Sequence, residues 1–253
     1  MADPNFKIFD AHFHIIDPRF PLIPNNGYLP DAFTCDNYIK RMKGYNLAGG
    51  AVVSGSFQEF DQSYLLNTLE VLGPAFCGVT QIPYDTSDEK IMRLNKSGVR
   101  AVRFNLRRGG SAEVQHLDRL ARRVHELAGW HTELYVDSSE LEGLHDTLVT
   151  LPAVSIDHLG LSGQGFKTLL RLVRRGVHVK ATGFGRVDFE VPLALKEIYA
   201  ANPGALMFGT DLPSTRAPRP FLNEDMALVI ETLGDDAAQK VLYENAASFY
   251  VRQ

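Results

Sequence analysis

Eight short apolar or β-branched runs punctuate the chain: FKIFDAHFHI, GGAVVSGS, FCGVTQIP, VRAVRFNL, HTELYVD, VSIDHLG, VHVKATG and LMFGTDLP. Between them DNYIKRMKGYN, SYLLNTLEVLG, AEVQHLDRLARRVHELAG, FKTLLRLVRRG and VPLALKEIYAAN carry apolar residues three and four apart, as in helices that bury one face. Strands that alternate with helices pair in parallel through crossovers, so the pattern predicts an α/β fold. Eight strands in 253 residues suit a closed barrel, which typically needs ~250, better than an open sheet. The expected architecture is one distorted (β/α)8 TIM barrel over residues 1–253, with DDAAQKVLYENAASFY as a closing helix.

Composition excludes several classes of function. With 45% hydrophobic and 22% charged residues the chain can bury a core and is not of the disordered type. No apolar run reaches the roughly 18 residues that span a bilayer, and MADPNFKIFDAHFH lacks the basic and apolar regions of a signal peptide. A cytoplasmic protein without a membrane partner is expected. A net charge of -4 argues against nucleic acid, and Arg122, Arg123, Arg171, Arg174 and Arg175 fall in helical segments as solvated faces. Cys35 and Cys77 match no zinc or redox spacing and are read as ordinary thiols.

Ionisable residues cluster where strands should end. Strand parity puts Asp10, His12 and His14 on one face and Phe9, Ala11, Phe13 and Ile15 on the other, so the polar row should face the barrel axis. His158 ends the sixth run and Asp211 the eighth. Burying such groups is costly unless they are paired, ligated or used, so their convergence predicts an active site. Two irregular stretches, residues 16–34 and PSTRAPRP, follow the first and last strands and should overhang the C-terminal face. No G-x-S-x-G elbow is present, since GLSGQG misses the last glycine, and neither GFGRVD nor RRGGS completes a nucleotide-binding loop.

DAHFH, IDHLG and FGTDLP resemble the signatures of the amidohydrolase superfamily, in its metal-dependent-hydrolase branch. The resemblance runs from end to end and implies that His12, His14, His158 and Asp211 surround the reacting carbonyl. VRAVRFNLRRG, FPLIPNNGYLP and KATGFGR are similar to segments of the 2-pyrone-4,6-dicarboxylate lactonases. That likeness implies a small anionic substrate held by Tyr28, Arg103, Arg107 or Arg108, Tyr135 and Arg186. Arginine suits the task, because its guanidinium makes bidentate, charge-assisted bonds to carboxylates. Parity favours Arg107 over Arg108 only if the fourth strand continues that far. The competing reading of each arginine is a salt bridge to Asp10, Glu133 or Asp157, and Lys180 is expected as a structural partner of one of these acids.

His12, His14, His158 and Asp211 could hold one Zn²⁺ or Mn²⁺. A second metal is not expected, because the fifth strand offers Tyr135 and Asp137 and the seventh ends without histidine. The dicarboxylate lactonases are described as working without metal, which implies Asp211 activating water while His12, His14 and His158 stabilise the oxyanion. Alternatives are a mononuclear-metal sugar-acid lactonase, a muconate-type decarboxylase, or a non-catalytic binding barrel. Homo-oligomers are common among such barrels, and self-association is the one macromolecular partnership left open.

Overall fold

Each of the eight apolar runs forms a strand. In the computed structural model, which describes residues 6–250, these are β1 (Lys7–Phe13), β2 (Asn46–Val53), β3 (Phe76–Thr80), β4 (Val99–Asn105), β5 (His131–Tyr135), β6 (Val154–Ile156), β7 (His178–Ala181) and β8 (Leu206–Phe208). The expected domain, 1–253, runs past the described residues at both ends. All seven neighbouring pairs are parallel and follow chain order, so the fold is a (β/α)8 TIM barrel. β8 is too short to form a ladder with β1, and closure falls to the residues just beyond it. Asp211 N donates to His12 O and His14 N to Leu212 O, each over 2.7 Å.

The outer layer comprises α1 (Cys35–Arg41), α2 (Ser63–Leu72), α3 (Asp88–Lys96), α4 (Leu117–Ala128), α5 (His145–Leu148), α6 (Phe166–Arg174), α7 (Val191–Ala201) and α8 (Asn223–Leu233). Apolar spacing explains their packing: α4 buries Leu117, Leu120, Ala121 and Val124 on one face, and Gly129 ends it in the left-handed conformation. The tail forms α9 (Asp235–Gln239), a π-helical turn over Lys240–Glu244 and α10 (Asn245–Tyr250). Phe249 stacks on His178 and Tyr250 on Phe9, which plugs the N-terminal mouth of the barrel. Among the described residues no helix is long and apolar enough to cross a membrane.

β1 departs from strict alternation, and the departure positions the site. Asp10 pairs with Gly50 but Phe13 with Val52, so β1 advances three residues while β2 advances two. Such a bulge re-aims the side chains beyond it. Phe9 and Ala11 pack inside the barrel with Met207 and Tyr250, whereas Asp10 turns to the Tyr38 hydroxyl on α1. Past the bulge His12 and His14 face inward, and Phe13 stacks on Tyr38 at 3.8 Å between ring centroids. The single polar row expected from parity is therefore corrected: Asp10 belongs to the outer layer, His12 and His14 to the inner one.

Candidate active site

The ends of β1, β6 and β8 bring four side chains together. The His12 ring lies 5.0 Å from His14 and 4.8 Å from His158, centroid to centroid. Asp211 Oδ1 stands 3.9 Å from His14 Nε2 and 4.0 Å from His158 Nε2. Its other oxygen accepts from Arg186 Nε at 2.7 Å, so Oδ1 is a buried carboxylate oxygen with no hydrogen-bond partner. His158 and Asp211 hold φ of 53° and 61°, a left-handed backbone that costs on the order of 1–2 kcal/mol each. The surroundings are shaped to tolerate it: a Cβ on Gly183 would come within 2.7 Å of His158 Nδ1.

All three histidines are buried, and burial disfavours the imidazolium. It lowers the pKa of His12 despite nearby Asp157, and takes those of His14 and His158 well below the ordinary histidine range. His14 Nδ1 lies 2.7 Å from Val53 O; a carbonyl can only accept, so this nitrogen carries the hydrogen and Nε2 a lone pair.

Beneath the histidines lies a layer of paired charges. Arg103 donates through Nε and Nη2 to Asp157 Oδ2 at 3.2 and 2.8 Å, and through Nη1 to Ser54 O. Lys180 Nζ is 2.5 Å from Glu133 Oε2 and 3.5 Å from Asp157 Oδ1. Burial works to raise the pKa of both acids, but Lys180 and His131 take Glu133 down to about 2, and His12, Lys180 and Arg103 hold Asp157 well below the carboxylate range. The salt bridges weighed for Arg103 and Lys180 are thus formed.

Above the histidines opens a small cavity. Tyr28, Arg103, Arg108, Tyr135 and Arg186 line it together with His14 and His158, whereas His12 and Asp211 do not. Arg107 does not: β4 ends at Asn105, a turn follows, and Arg107 reaches outward to Asp137 at 3.8 Å. Arg186 is occupied by Asp211 and by Thr215 O. Sequence reasoning missed Ser56, Phe57 and above all Arg216, whose guanidinium lies 4.3 Å over the Tyr28 ring. The only signal for Arg216 was its place in the irregular stretch after β8.

The sequence profile of the amidohydrolase family matches residues 9–252. The chain belongs to that family. This amidohydrolase is a hydrolase whose sequence is 27% identical to a 2-pyrone-4,6-dicarboxylate hydrolase of Comamonas testosteroni, over 98% of this chain and 93% of the relative. Its fold is shared with a probable 2-pyrone-4,6-dicarboxylic acid hydrolase of Acinetobacter baumannii, at TM-score 0.83, 21% identity and coverage of 96% and 98%. A similar fold is that of a putative hydrolase of the same name from Pseudomonas putida, at TM-score 0.80, 23% identity and coverage of 97% and 98%.

Members of the superfamily often use a divalent metal, and one group of donors here fits it. His12, His158 and Asp211 each present a ligand atom within 4.8 Å of the others; His14 Nε2 is close by, and both His12 Nε2 and Asp211 Oδ1 are buried without a partner. A neutral His12 would have to carry its hydrogen on Nδ1 to serve as a ligand. A second group, His12, Glu133 and Asp157, does not fit, because Lys180 already lies among its oxygens.

Proposed function

We propose that this amidohydrolase opens the lactone ring of a small dicarboxylated substrate, with 2-pyrone-4,6-dicarboxylate as the reference compound. The observation that carries the reading is Asp211 Oδ1: a buried, unpartnered carboxylate oxygen within 4.0 Å of His14 and His158, the two imidazoles that line an arginine-rich cavity. A carboxylate left free in this way is a base in search of a proton. The named activity of the Comamonas relative supports the choice of substrate.

Charge sets the pose. Arg108 and Arg216 reach the cavity from loops, while Arg103 and Arg186 are committed to Asp157 and Asp211. Arg108 and Arg216 are therefore the arginines left to hold a substrate carboxylate, and Tyr28 and Tyr135 flank the ring.

The tautomer of His14 divides the labour. Its bare Nε2 cannot donate to an oxyanion; it accepts one hydrogen of a water that gives the other to Asp211 Oδ1. This differs from the expectation that all three histidines stabilise the oxyanion. Asp211 removes a proton as the water oxygen bonds to the lactone carbonyl carbon. His12 and His158 donate to the carbonyl oxygen as negative charge develops, and the ring C–O bond breaks while Asp211 returns the proton to the leaving oxygen. If one divalent ion is bound by His12, His14, His158 and Asp211, it supplies Lewis acidity at the carbonyl and a more acidic water.

The test is hydrolysis of 2-pyrone-4,6-dicarboxylate followed by loss of ring absorbance, with acid release and carbon dioxide measured in parallel. One acid equivalent per ring and no carbon dioxide is expected. Carbon dioxide release, or turnover by Asp211→Asn, would sink the scheme.

A further inference from the structure

We propose that Lys180 is a positioning residue that fixes the tautomer of His12, keeping the hydrogen on Nε2 so that this imidazole donates into the site. Lys180 is wholly buried on β7 and touches no part of the cavity. Its ammonium can only donate, and three acceptors surround it: Glu133 Oε2 at 2.5 Å, His12 Nδ1 at 3.3 Å and Asp157 Oδ1 at 3.5 Å. Glu133 Oε2 and His12 Nδ1 each accept one of its hydrogens, and Asp157 Oδ1 is an ion-pair neighbour. If His12 instead carried its hydrogen on Nδ1, that hydrogen would meet an N–H of Lys180 across 3.3 Å.

The competing acceptor for an Nδ1 hydrogen is Asp157 Oδ1, 3.4 Å away. That contact lacks hydrogen-bond geometry, and Oδ1 has no hydrogen-bond partner, whereas Lys180 and His12 are placed for one. Asp157 is itself turned away by Arg103, which takes Oδ2 through two nitrogens. Lys180 is in turn held by Glu133, which also bonds to Tyr250 Oη at 2.5 Å and His131 Nε2 at 3.0 Å. The plug at the base of the barrel is thereby linked to a hydrogen at its mouth. With that hydrogen on Nε2, His12 is a donor to the carbonyl oxygen.

The catalytic part of this inference rests on the lactonase reading; the tautomer does not, and the two are measured separately. Long-range ¹H–¹⁵N correlation of protein labelled at histidine nitrogens reads the tautomer, with His12 assigned by its loss in His12→Gln. The wild type should show the hydrogen on Nε2. Lys180→Met alone would leave a buried charge uncompensated, so the informative variant is Lys180→Met with Glu133→Gln, which removes one charge of each sign and still lets residue 133 accept from Tyr250 and His131. In it the His12 hydrogen should move to Nδ1 and pair with Asp157. On the lactone, kcat should fall by about 10²–10³-fold, as on losing one oxyanion donor, with KM changed less than about threefold. A wild-type hydrogen on Nδ1, or an unchanged Nε2 hydrogen in the double variant, would overturn the role of Lys180. A hydrogen that moves as expected in a protein that opens no lactone would leave that role standing and refute the substrate reading instead.

Discussion

Arg186 Nε donates to Asp211 Oδ2 over 2.7 Å, which leaves Oδ1 as the carboxylate oxygen without a hydrogen-bond partner. The guanidinium orients Asp211 from the short helical turn after β7, while Asp211 N is tied to His12 O across the barrel seam. Asp211→Asn keeps the shape and both anchoring contacts but has no basic oxygen. It should lower kcat by roughly 10²–10⁴-fold, the usual worth of a general base, with the Kd for a non-hydrolysed dicarboxylate within a few-fold of wild type. Single-turnover rates and calorimetric binding on the same preparation check both halves.

Because burial keeps His12, His14 and His158 neutral as pH falls through the ordinary histidine value of 6.5, activity should show no inflection there. A profile of kcat/KM from pH 5 to 8 tests this. Stability carries the matching sign. The unfolded chain takes up protons at these histidines below pH 6.5 and the folded chain does not, so their stabilising contribution is present above that pH and is lost in acid. Urea midpoints should fall between pH 6.5 and 5, and less steeply in His14→Gln.

Asp10 has the opposite sign to the usual acid. Burial raises its pKa from 3.8 to about 6, against the hydrogen bonds from Thr210, His12 N and Tyr38. The folded state therefore binds the proton more tightly than the unfolded state, and ionising Asp10 costs stability as pH rises from 3.8 through 6. That rise corresponds to roughly 3 kcal/mol as an upper figure. Measured against Asp10→Asn, which does not titrate, the wild type should lose up to about this much relative stability between pH 4 and 7.

The eight strands were legible because each is an apolar run bounded by turn residues, and the charged strand ends because burying them without purpose is expensive. What was not legible depends on geometry that no run of residue types encodes. Helix α3 escaped notice because DEKIMRLNK buries only Ile91 and Leu94. The outward turn of Asp10, away from His12 and His14, follows from the β1 bulge, and parity assumes there is none. The choice between Arg107 and Arg108 hung on whether the fourth strand continued, and it stops at Asn105. Arg216 was missed because its direction is set by positive φ at Ser214 and Arg216 itself, in a loop with no periodic pattern to read.

The barrel seam makes a sterically exact demand at Gly209. A Cβ there would lie 2.7 Å from His12 N and 3.0 Å from His12 Cβ, closer than backbone can accept. Gly209→Ala should push β8 from β1, costing about 1–3 kcal/mol as overpacking does. His12 and Asp211 flank the displaced seam, so kcat should fall as well, which an equally destabilising change such as Leu120→Val on α4 should not reproduce. Urea unfolding alongside kinetics separates the two effects.

Arg216 offers a sharper test of what the cavity selects. Its guanidinium covers Tyr28, is anchored to Asn25 Oδ1 at 3.0 Å and to Asn25 O, and forms no ion pair with a carboxylate among the described residues. Asn25 Nδ2 also donates to Arg108 O at 2.9 Å, so one asparagine aligns the loops that carry both arginines. Burial and the neighbouring Arg108 lower the Arg216 pKa. Arg216→Gln should therefore raise KM for a dicarboxylated lactone by about 10–100-fold, the worth of a charge-assisted hydrogen bond, with kcat nearly unchanged. Against a lactone that lacks the distal carboxylate, wild type and variant should have the same KM. An equal penalty on both substrates would mean that Arg216 only holds the loop, because a structural role is blind to the missing carboxylate.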